Sequence, residues 1–488
     1  MDFITAVVSS INNILWSYIL IATLIGCGLW FTFKTGFVQF GMIRHMFKLL
    51  VETGTDKVKS NKGLNNKEIN QSQGKKERKI SSFEAFAVSI AGRVGTGNLA
   101  GVATAIVIGG PGAIFWMWLI ALIGSASAFI ESTLAQLDKL KGKDSFIGGP
   151  AYYIEIGLKM KWLSVAFAIF TILTFGFAFN SVQSNTLSAA LGKAFSFNPA
   201  IVGIILTIFT VVIIFGGIQS IAKVSSVIVP IMAIGYVLIA VIIIAVNITE
   251  LPYVIKSIVS NAFGIRQAVA GGIGAAIMQG IRRGLFSNEA GMGSAPHAAA
   301  TANVTHPVKQ GLIQALSVFT DTLLICSCTA FIILFSGAPI DGSVNGVQLT
   351  QFALNNEIGN FGTYYIAFIL IFFVFSSILG NYYYGEANVT YLVKEKSNRT
   401  QKTTIFFYRV LVAANVMAGA VMSLDLAWNI ADITMGMMAL CNMTGIVLLG
   451  KYAIRLLKDY RSQLAKGIKD PVFDKETMPE IKDQLECW

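Results

Sequence analysis

Charged residues are scarce in this chain of 488 residues. Asp, Glu, Lys and Arg make up 13% of it, against 54% hydrophobic residues. Soluble domains carry about 25% charged residues, so the composition excludes an ordinary soluble enzyme or binding domain and favours a protein embedded in a bilayer. Histidine is rarer still, with three residues, and the five cysteines are scattered. Neither type shows the spacing of a structural metal site or of a disulfide framework.

Catalytic and nucleotide-binding motifs are missing as well. The sequence holds no H-E-x-x-H or G-x-S-x-G motif, no Ser-His-Asp arrangement and no phosphate-binding G-x-x-x-x-G-K-[ST] loop. His297 and His306 are nine positions apart, which is not ligand spacing on one helix face, and we expect them at the surface. An enzyme, an ATP-driven pump and, without a filter-like segment, a channel are therefore disfavoured.

The chain has long hydrophobic runs instead. Runs of about 18 or more residues can cross a bilayer, and their number predicts an all-α polytopic membrane protein with about eleven transmembrane helices. The net charge is +11, and the basic residues gather in loops on one side of the predicted membrane. The positive-inside rule then places the N-terminus outside and the C-terminus in the cytoplasm of a cell-membrane protein. The predicted spans are 13–33, 82–109, 112–137, 162–190, 200–217, 224–246, 267–288, 310–335, 361–391, 404–424 and 428–456.

Two of these spans hold glycine and polar residues at mid-depth, namely 82–109 and 267–288. A broken helix survives inside a membrane only where it lines a cavity or an ion. Setting the first span aside leaves two groups of five spans. Because five crossings end on the opposite side of the membrane, the second group begins on that side and has the opposite topology. Paired interrupted helices in an inverted repeat are typical of transporters. We therefore predict an N-terminal transmembrane helix (1–33), a basic cytoplasmic loop (34–80), a first five-helix repeat (81–246), an extracellular connection (247–266), a second five-helix repeat (267–457) and a cytoplasmic tail (458–488).

Three motifs carry a resemblance to a known family. They are RVGTGNLAGVATAI at 93–106, GGPAYYIEIGL at 148–158 and RRGLFSNEAGMGSAP at 282–296. They resemble the alanine or glycine:cation symporter family, also called the sodium:alanine symporter family, and the similarity is spread over most of residues 80–456. The resemblance implies the leucine-transporter type of inverted-repeat fold with one extra N-terminal helix. It also implies sodium or a proton as coupling ion and small amino acids as substrates.

The resemblance also implies a substrate site. The segment RVGTGN is similar to the unwound first core helix of that fold, where the amides of Thr96, Gly97 and Asn98 would bind the substrate carboxylate. This suits the positive end of a half-helix.

A sodium site is implied in the same way. It would combine the backbone carbonyls of Ala91, Val94 and Phe373 with the hydroxyls of Ser376 and Ser377. Five oxygen ligands suit a hard cation. The two serines could instead bond back to their own helix, and this alternative stays open.

Other spans offer further candidates. Gln183 carries both amide donors and an acceptor, so it could hold the substrate, or it could simply join two helices. In the glycine-rich seventh span, the carbonyls of Gly272, Ile273 and Gly274 could accept from an ammonium group. Glycine backbone that approaches a substrate closely also leaves little room for a large side chain.

Three charged residues lie inside predicted spans. Arg93 would cost about 2.5–3.5 kcal/mol at a helix centre facing lipid, so we expect it to face the interior or an aqueous path, where it could gate. Asp321 and Asp432 are candidates for an ion site, a gate or a proton relay, and they could equally be satisfied structural acids.

Together these features predict a secondary active transporter that carries a small neutral amino acid such as alanine or glycine into the cell with a cation. Sodium is preferred to a proton as coupling ion. The expected partners are the amino acid and the bilayer, with no nucleic acid, and the oligomeric state is open. An uncoupled or exchange-type carrier is the closest alternative, because it would share the pocket and lack only strict ion coupling.

Overall fold

The computed structural model describes residues 12–59, 80–142, 145–264 and 272–488. Residues 267–271 of the predicted seventh span and most of the predicted basic loop lie outside the described residues. The described chain is mainly helical, with one antiparallel hairpin, in which Leu140 pairs with Ile147. The helices are α1 (Asn12–Lys34), α2 (Val38–Gly41), α3 (Ile43–Lys59), α4 (Ser82–Arg93), α5 (Gly97–Gly109), α6 (Gly112–Leu137), α7 (Pro150–Leu158), α8 (Lys161–Phe195), α9 (Pro199–Ile214), α10 (Gly217–Val246), α11 (Leu251–Ala262), α12 (Gly272–Asn288), α13 (Ala295–Thr301), α14 (Val308–Phe335), α15 (Val347–Ile358), α16 (Phe361–Leu392), α17 (Asn398–Val421) and α18 (Leu424–Ala465), and the strands are β1 (Leu140–Lys141) and β2 (Phe146–Ile147).

Eight helices in the described residues are long and apolar enough to cross a membrane, and the bent pair α4 and α5 makes nine. Two further predicted spans coincide with α9 and α12, which have 16 and 17 residues. The structure therefore shows a multi-helix membrane protein, while the count of eleven spans stays a prediction.

The first break separates α4 from α5. Helix α4 begins with a capping box, in which the Ser81 hydroxyl accepts from the Glu84 N–H and the Glu84 carboxylate accepts from the Ser81 N–H at 2.9 Å. The helix ends at Arg93, Val94 is extended, and α5 leaves at an angle of 49°. The predicted interruption of this span is present.

The second break lies elsewhere than we expected. Helix α12 is continuous from Gly272 to Asn288, so the expectation of an interruption inside these residues is wrong. The chain breaks at 289–294, where Glu289, Gly291 and Gly293 have positive φ angles of 55°, 80° and 90°. Gly280 inside α12 serves close packing instead, since a Cβ there would lie 2.6 Å from Trp116 Cβ on α6.

The two broken helices meet next to α16. A Cβ on Gly97 would lie 2.9 Å from Phe286 Cδ1, so the start of α5 touches the end of α12. A Cβ on Gly380 would lie 2.8 Å from the Gly92 nitrogen, so the backbones of α16 and α4 touch as well. Close contact of glycine backbones without side chains between them is how membrane helices pack tightly. The fold thus brings the unwound segment 94–96 and α16 together in the protein interior.

Candidate functional site

The unwound segment 94–96 forms the centre of the candidate site. In a continued helix, the Gly95 N–H would donate to the Ala91 carbonyl. Here it donates to Asn98 Oδ1 at 2.9 Å, and the Asn98 N–H turns to the Gly95 carbonyl at 3.3 Å. The carbonyls of Ala91 and Val94 therefore lose the helical donors that they would otherwise have.

Gln183 reaches this segment from α8. Its Oε1 accepts from the Thr96 N–H at 3.1 Å, and both residues are buried. The Gln183 amide oxygen thus occupies a position in which a carboxylate oxygen could also accept from the Thr96 N–H. The structure brings together Thr96 and Gln183, two of the predicted substrate residues.

Ser377 reaches the other side of the same segment from α16. Its hydroxyl donates to the Val94 carbonyl at 3.2 Å. Ser376 bonds back to its own helix, with its hydroxyl 3.1 Å from the Phe373 carbonyl. Each serine thus fits a different one of the two alternatives that the sequence left open. Ser377 reaches the unwound segment, whereas Ser376 bonds back to its own helix.

The chemistry of the predicted donor set suits a sodium ion. The predicted donor set consists of oxygen atoms alone, and all five residues, namely Ala91, Val94, Phe373, Ser376 and Ser377, are fully buried. Oxygen ligands without nitrogen or sulfur suit a hard cation. Two of the three carbonyls belong to the unwound helix, where the lost helical donors make them available to a cation.

Asp321 joins both broken helices to α14. Its carboxylate accepts from Asn98 Nδ2 at 2.7 Å, from the Ser287 hydroxyl at 2.8 Å and from the Thr322 hydroxyl at 2.9 Å. All four side chains are buried. Three donors satisfy the buried carboxylate, and the contacts fix the register between α5, α12 and α14.

Arg93 faces the protein interior, where 2% of its surface is exposed. Its guanidinium donates to the Ser317 hydroxyl and, at 3.5 Å, to the Gln314 carbonyl. Nε and Nη2 have no hydrogen-bond partner among the described residues. The guanidinium interacts electrostatically with Glu131 and Glu289, which are both fully buried.

Glu131 holds the second break, and the sequence interpretation missed this role. One carboxylate oxygen accepts from the Gly291 N–H at 3.2 Å, and the other accepts from Asn442 Nδ2 at 2.7 Å. Asn442 Nδ2 also donates to the Gly291 carbonyl at 2.8 Å. An acid inside the apolar run 112–137 is the same signal that singled out Asp321, so Glu131 was detectable.

Asp432 lies in a cluster of arginine and aromatic side chains from α12 and α18. It accepts from Arg283 at 2.5 Å and from Arg282 at 3.4 Å. The Arg283 guanidinium lies 4.1 Å from the centre of the Trp428 ring, and that ring lies 4.6 Å from Phe286. Asp432 is therefore a paired acid that ties α12 to α18 beside the unwound segment.

Other predicted residues lie away from this centre. Gly272, Ile273 and Gly274 are exposed in the first turn of α12. Gly272 is fourteen residues from Phe286, which corresponds to about 21 Å along a helix. The structure does not bring these three residues to the unwound segment, and their role stays a prediction.

The expectation that His297 and His306 are surface residues is wrong, because both are fully buried. His297 follows the second break in α13 and contacts Asn388 at 2.9 Å. His306 contacts Asp459 at 3.2 Å.

The fold defines a class of protein before any relative is considered. Unwound helices that meet in a buried polar site are typical of ion-coupled transporters. The chain superposes on MhsT, solved in complex with L-phenylalanine, with a TM-score of 0.56 at 13% identity, over 78% of this chain and 98% of that one. It superposes on a Na+-coupled sialic acid symporter with a TM-score of 0.53 at 12% identity, over 80% of this chain and 82% of that one. The fold is therefore of the leucine-transporter type.

The sequence then gives the family. Residues 1–475 match the sodium:alanine symporter family. The chain is 48% identical to the probable sodium/glutamine symporter GlnT of Bacillus subtilis, over 99% of this chain and 95% of that one. It is 37% identical to the sodium/alanine symporter AgcS of Methanococcus maripaludis, over 94% of this chain and 98% of that one. The chain belongs to the sodium:alanine symporter family, a family of membrane transporters and not of enzymes, and the predicted resemblance is confirmed.

Proposed function

We propose that this protein is a secondary active transporter that brings a small neutral amino acid into the cell together with a cation, which is sodium in preference to a proton. The observation that carries the proposal is that side chains from two other helices contact one unwound turn from either side. Gln183 contacts the Thr96 amide on one side of Gly95, and Ser377 contacts the Val94 carbonyl on the other. Amides suit a carboxylate and carbonyls suit a cation.

This arrangement explains coupling in physical terms. Both ligands would bind to the same few backbone atoms, so a cation that orders the carbonyls of Ala91 and Val94 also orders the amides of Thr96 and Gly97. Binding of the first ligand then reduces the ordering cost of the second, which is positive cooperativity. Gly95 permits the arrangement, since a Cβ there would lie 2.9 Å from Gln183 Nε2.

Aromatic rings favour a small substrate. Phe286 lies 4.2 Å from Phe179 and 4.6 Å from Trp428, measured between ring centres, and it contacts Gly97. These rings narrow the space beside the unwound segment, which favours alanine or glycine. Glutamine is the second candidate, because a relative 48% identical is named a probable sodium/glutamine symporter.

Alternating access would come from an inverted repeat of five and five helices after α1. The proposal is supported by the positions of the two breaks, since α4 and α5 open the first group and α12 and α13 open the second. The N-terminus would lie outside and the tail in the cytoplasm, as the basic loops indicate.

The three charged candidates fit separate roles in this scheme. Asp432 with Arg283 would close the site from outside, since the pair stacks on the aromatic rings beside it. Asp321 would carry the coupling ion if that ion is a proton. Arg93 would hold the cytoplasmic side together through its interactions with Glu131 and Glu289.

Uptake into proteoliposomes tests the function. Labelled alanine, glycine and glutamine are offered with an inward sodium gradient, with a proton gradient, or with neither. One sodium ion that moves down roughly 100 mV gains about 2.3 kcal/mol, and a tenfold gradient adds about 1.4 kcal/mol. We expect concentrative uptake with sodium alone. Uptake that only equilibrates, or that needs amino acid inside, would show the uncoupled or exchange-type carrier instead.

A further inference from the structure

Residues 470–488, which we call the strap, fold back against the protein after α18. Phe473, Met478, Ile481 and Leu485 are buried, with 1–9% of their surfaces exposed. Four buried apolar side chains in a segment with little helix indicate a specific docking surface. The strap is therefore part of the folded structure.

Trp488 docks on the end of α6. Its indole Nε1–H lies 3.0 Å from the Gln136 carbonyl and 3.1 Å from the Leu137 carbonyl. These carbonyls have no partner within α6 because the helix ends there. The ring lies 4.4 Å from Lys139 Nζ and 5.4 Å from the Phe473 ring.

The same turn of α6 holds α13, the half-helix that follows the second break. Gln136 Nε2 donates to the Ala299 carbonyl and, at 2.9 Å, to the Ala302 carbonyl. Lys139 Nζ lies 3.4 Å from the Ala302 carbonyl. The strap therefore fixes the residues that bind the end of α13.

A second group of contacts holds the linker between α13 and α14. The Phe473 N–H donates to the Thr305 carbonyl at 2.9 Å, and the Thr305 hydroxyl donates to the Pro471 carbonyl at 2.9 Å. Asp470 pairs with Lys309.

The linker also binds the start of the first broken helix. The Asn303 N–H donates to the Ile80 carbonyl at 3.0 Å, and Ile80 and Ala302 form a parallel bridge. Helix α4 begins two residues later, at Ser82. The strap thus reaches the ends of α4 and of α13 through one short linker.

We propose that the strap is a regulatory element that holds the cytoplasmic ends of both broken helices together, and that it must loosen before substrate is released inward. The direction of release rests on the proposed function. The claim that the strap holds the two helix ends together does not rest on that function. Loss of strap contacts should allow the ends of α4 and α13 to separate more often, whichever solute is carried. Contacts that stabilise the closed inner side shift the equilibrium toward conformations that are open on the outer side.

Hydrogen exchange in lipid nanodiscs tests whether the strap holds the two helix ends together. Trp488→Ala removes two hydrogen bonds and the ring that covers Lys139, and we expect amides in 80–93 and 295–305 to exchange about tenfold faster. Trp488→Phe keeps an aromatic ring but loses the N–H and the five-membered ring of the indole, so its effect should be smaller. Val472→Ala changes a strap residue that is 58% exposed, and it serves as the control.

The result that overturns the proposal is equally specific. If Trp488→Ala accelerates exchange only within 470–488 and leaves 80–93 and 295–305 within twofold of wild type, the strap is docked without holding the helices. Asp470→Asn gives a second test that spares the fold, since the Asp470 side chain is 67% exposed. It should accelerate exchange in 295–305 in the same direction.

Transport kinetics test the regulatory part. A loosened inner side lowers the share of protein that is open outward, so KM for external amino acid should rise about tenfold in Trp488→Ala while kcat does not fall. A fall in kcat at unchanged KM would contradict this. If wild type transports no amino acid, the proposed function fails, and the exchange measurements still decide whether the strap holds the two helices.

Discussion

Replacement of Gly95 by alanine is the sharpest test of the two sites. A Cβ at this position would lie 2.9 Å from Gln183 Nε2 and 3.0 Å from Gln183 Oε1, and closer still to Ser377 Oγ. The φ angle of Gly95 is outside the left-handed region, so alanine adds no backbone strain there. The perturbation therefore acts on the side chains that form the two proposed sites.

The size of the effect follows from these distances. Ordinary contact with a Cβ begins at 3.4 Å, so Gln183 must retreat by 3.4 − 2.9 = 0.5 Å, and Ser377 by more. Gln183 Oε1 must retreat by 3.4 − 3.0 = 0.4 Å, which lengthens its contact with the Thr96 N–H from 3.1 Å to as much as 3.5 Å, longer than an ordinary hydrogen bond. Inserting a methyl group into a packed interior costs about 1–3 kcal/mol. We expect KM for the amino acid and the half-activating sodium concentration to rise together, each by about tenfold or more.

The assay is uptake of labelled alanine by proteoliposomes at a series of sodium concentrations, with the melting temperature as a check of folding. Gly26→Ala on α1 is the matched control, because no atom lies within 4 Å of a Cβ there. If Gly95→Ala folds and both constants stay within twofold of wild type, Gly95 does not separate two ligand sites, and the proposed geometry is refuted.

Three further predictions concern single side chains. Ser377→Ala removes a cation oxygen and its contact with the Val94 carbonyl, so the half-activating sodium concentration should rise about tenfold; unchanged sodium activation in a well-folded variant would refute the assignment. Asp432→Asn leaves Arg283 buried without its carboxylate partner, so we expect a lower melting temperature and, from a weakened outer gate, a higher KM. An unchanged KM would remove Asp432 from the gate. Burial lowers the pKa of His306, so the unfolded state binds the proton more tightly. The melting temperature should therefore fall as pH drops below the ordinary value of about 6.5. His306→Gln should flatten that dependence, and an equal slope in both proteins would contradict it.

The first broken helix could be read from the sequence because its chemistry is local. The stretch RVGTGN puts glycine and polar residues at the middle of an apolar run, and such a run can break only beside a cavity or an ion. The amide chemistry of Gln183 then added that residue, the family resemblance added Ser377, and the structure brings both to the same turn from α8 and α16. Periodicity alone could not have paired these three segments, since they are distant in the chain.

The second broken helix shows the limit of composition. Gly274 and Gly280 looked like an interruption, yet α12, which begins at Gly272 with a φ angle of 62°, passes through both. Glycine marks both close packing and chain breaks, and only the tertiary contacts separate the two. At Gly280 the neighbour is α6, whereas Gly291 is held by Glu131 and Asn442.

The charge balance around the unwound segment bears on whether a cation binds beside the substrate. Three buried arginines, Arg93, Arg282 and Arg283, accompany four buried acids, so the fully ionised group would carry a net charge of 3 − 4 = −1; the acids are Glu131, Glu289, Asp321 and Asp432. A surplus of buried negative charge is costly unless a cation or protons compensate it. This cluster therefore favours a bound cation beside the neutral amino acid, in agreement with symport. Because sodium and protons compensate it equally well, the sodium and proton gradients in the uptake experiment decide between them.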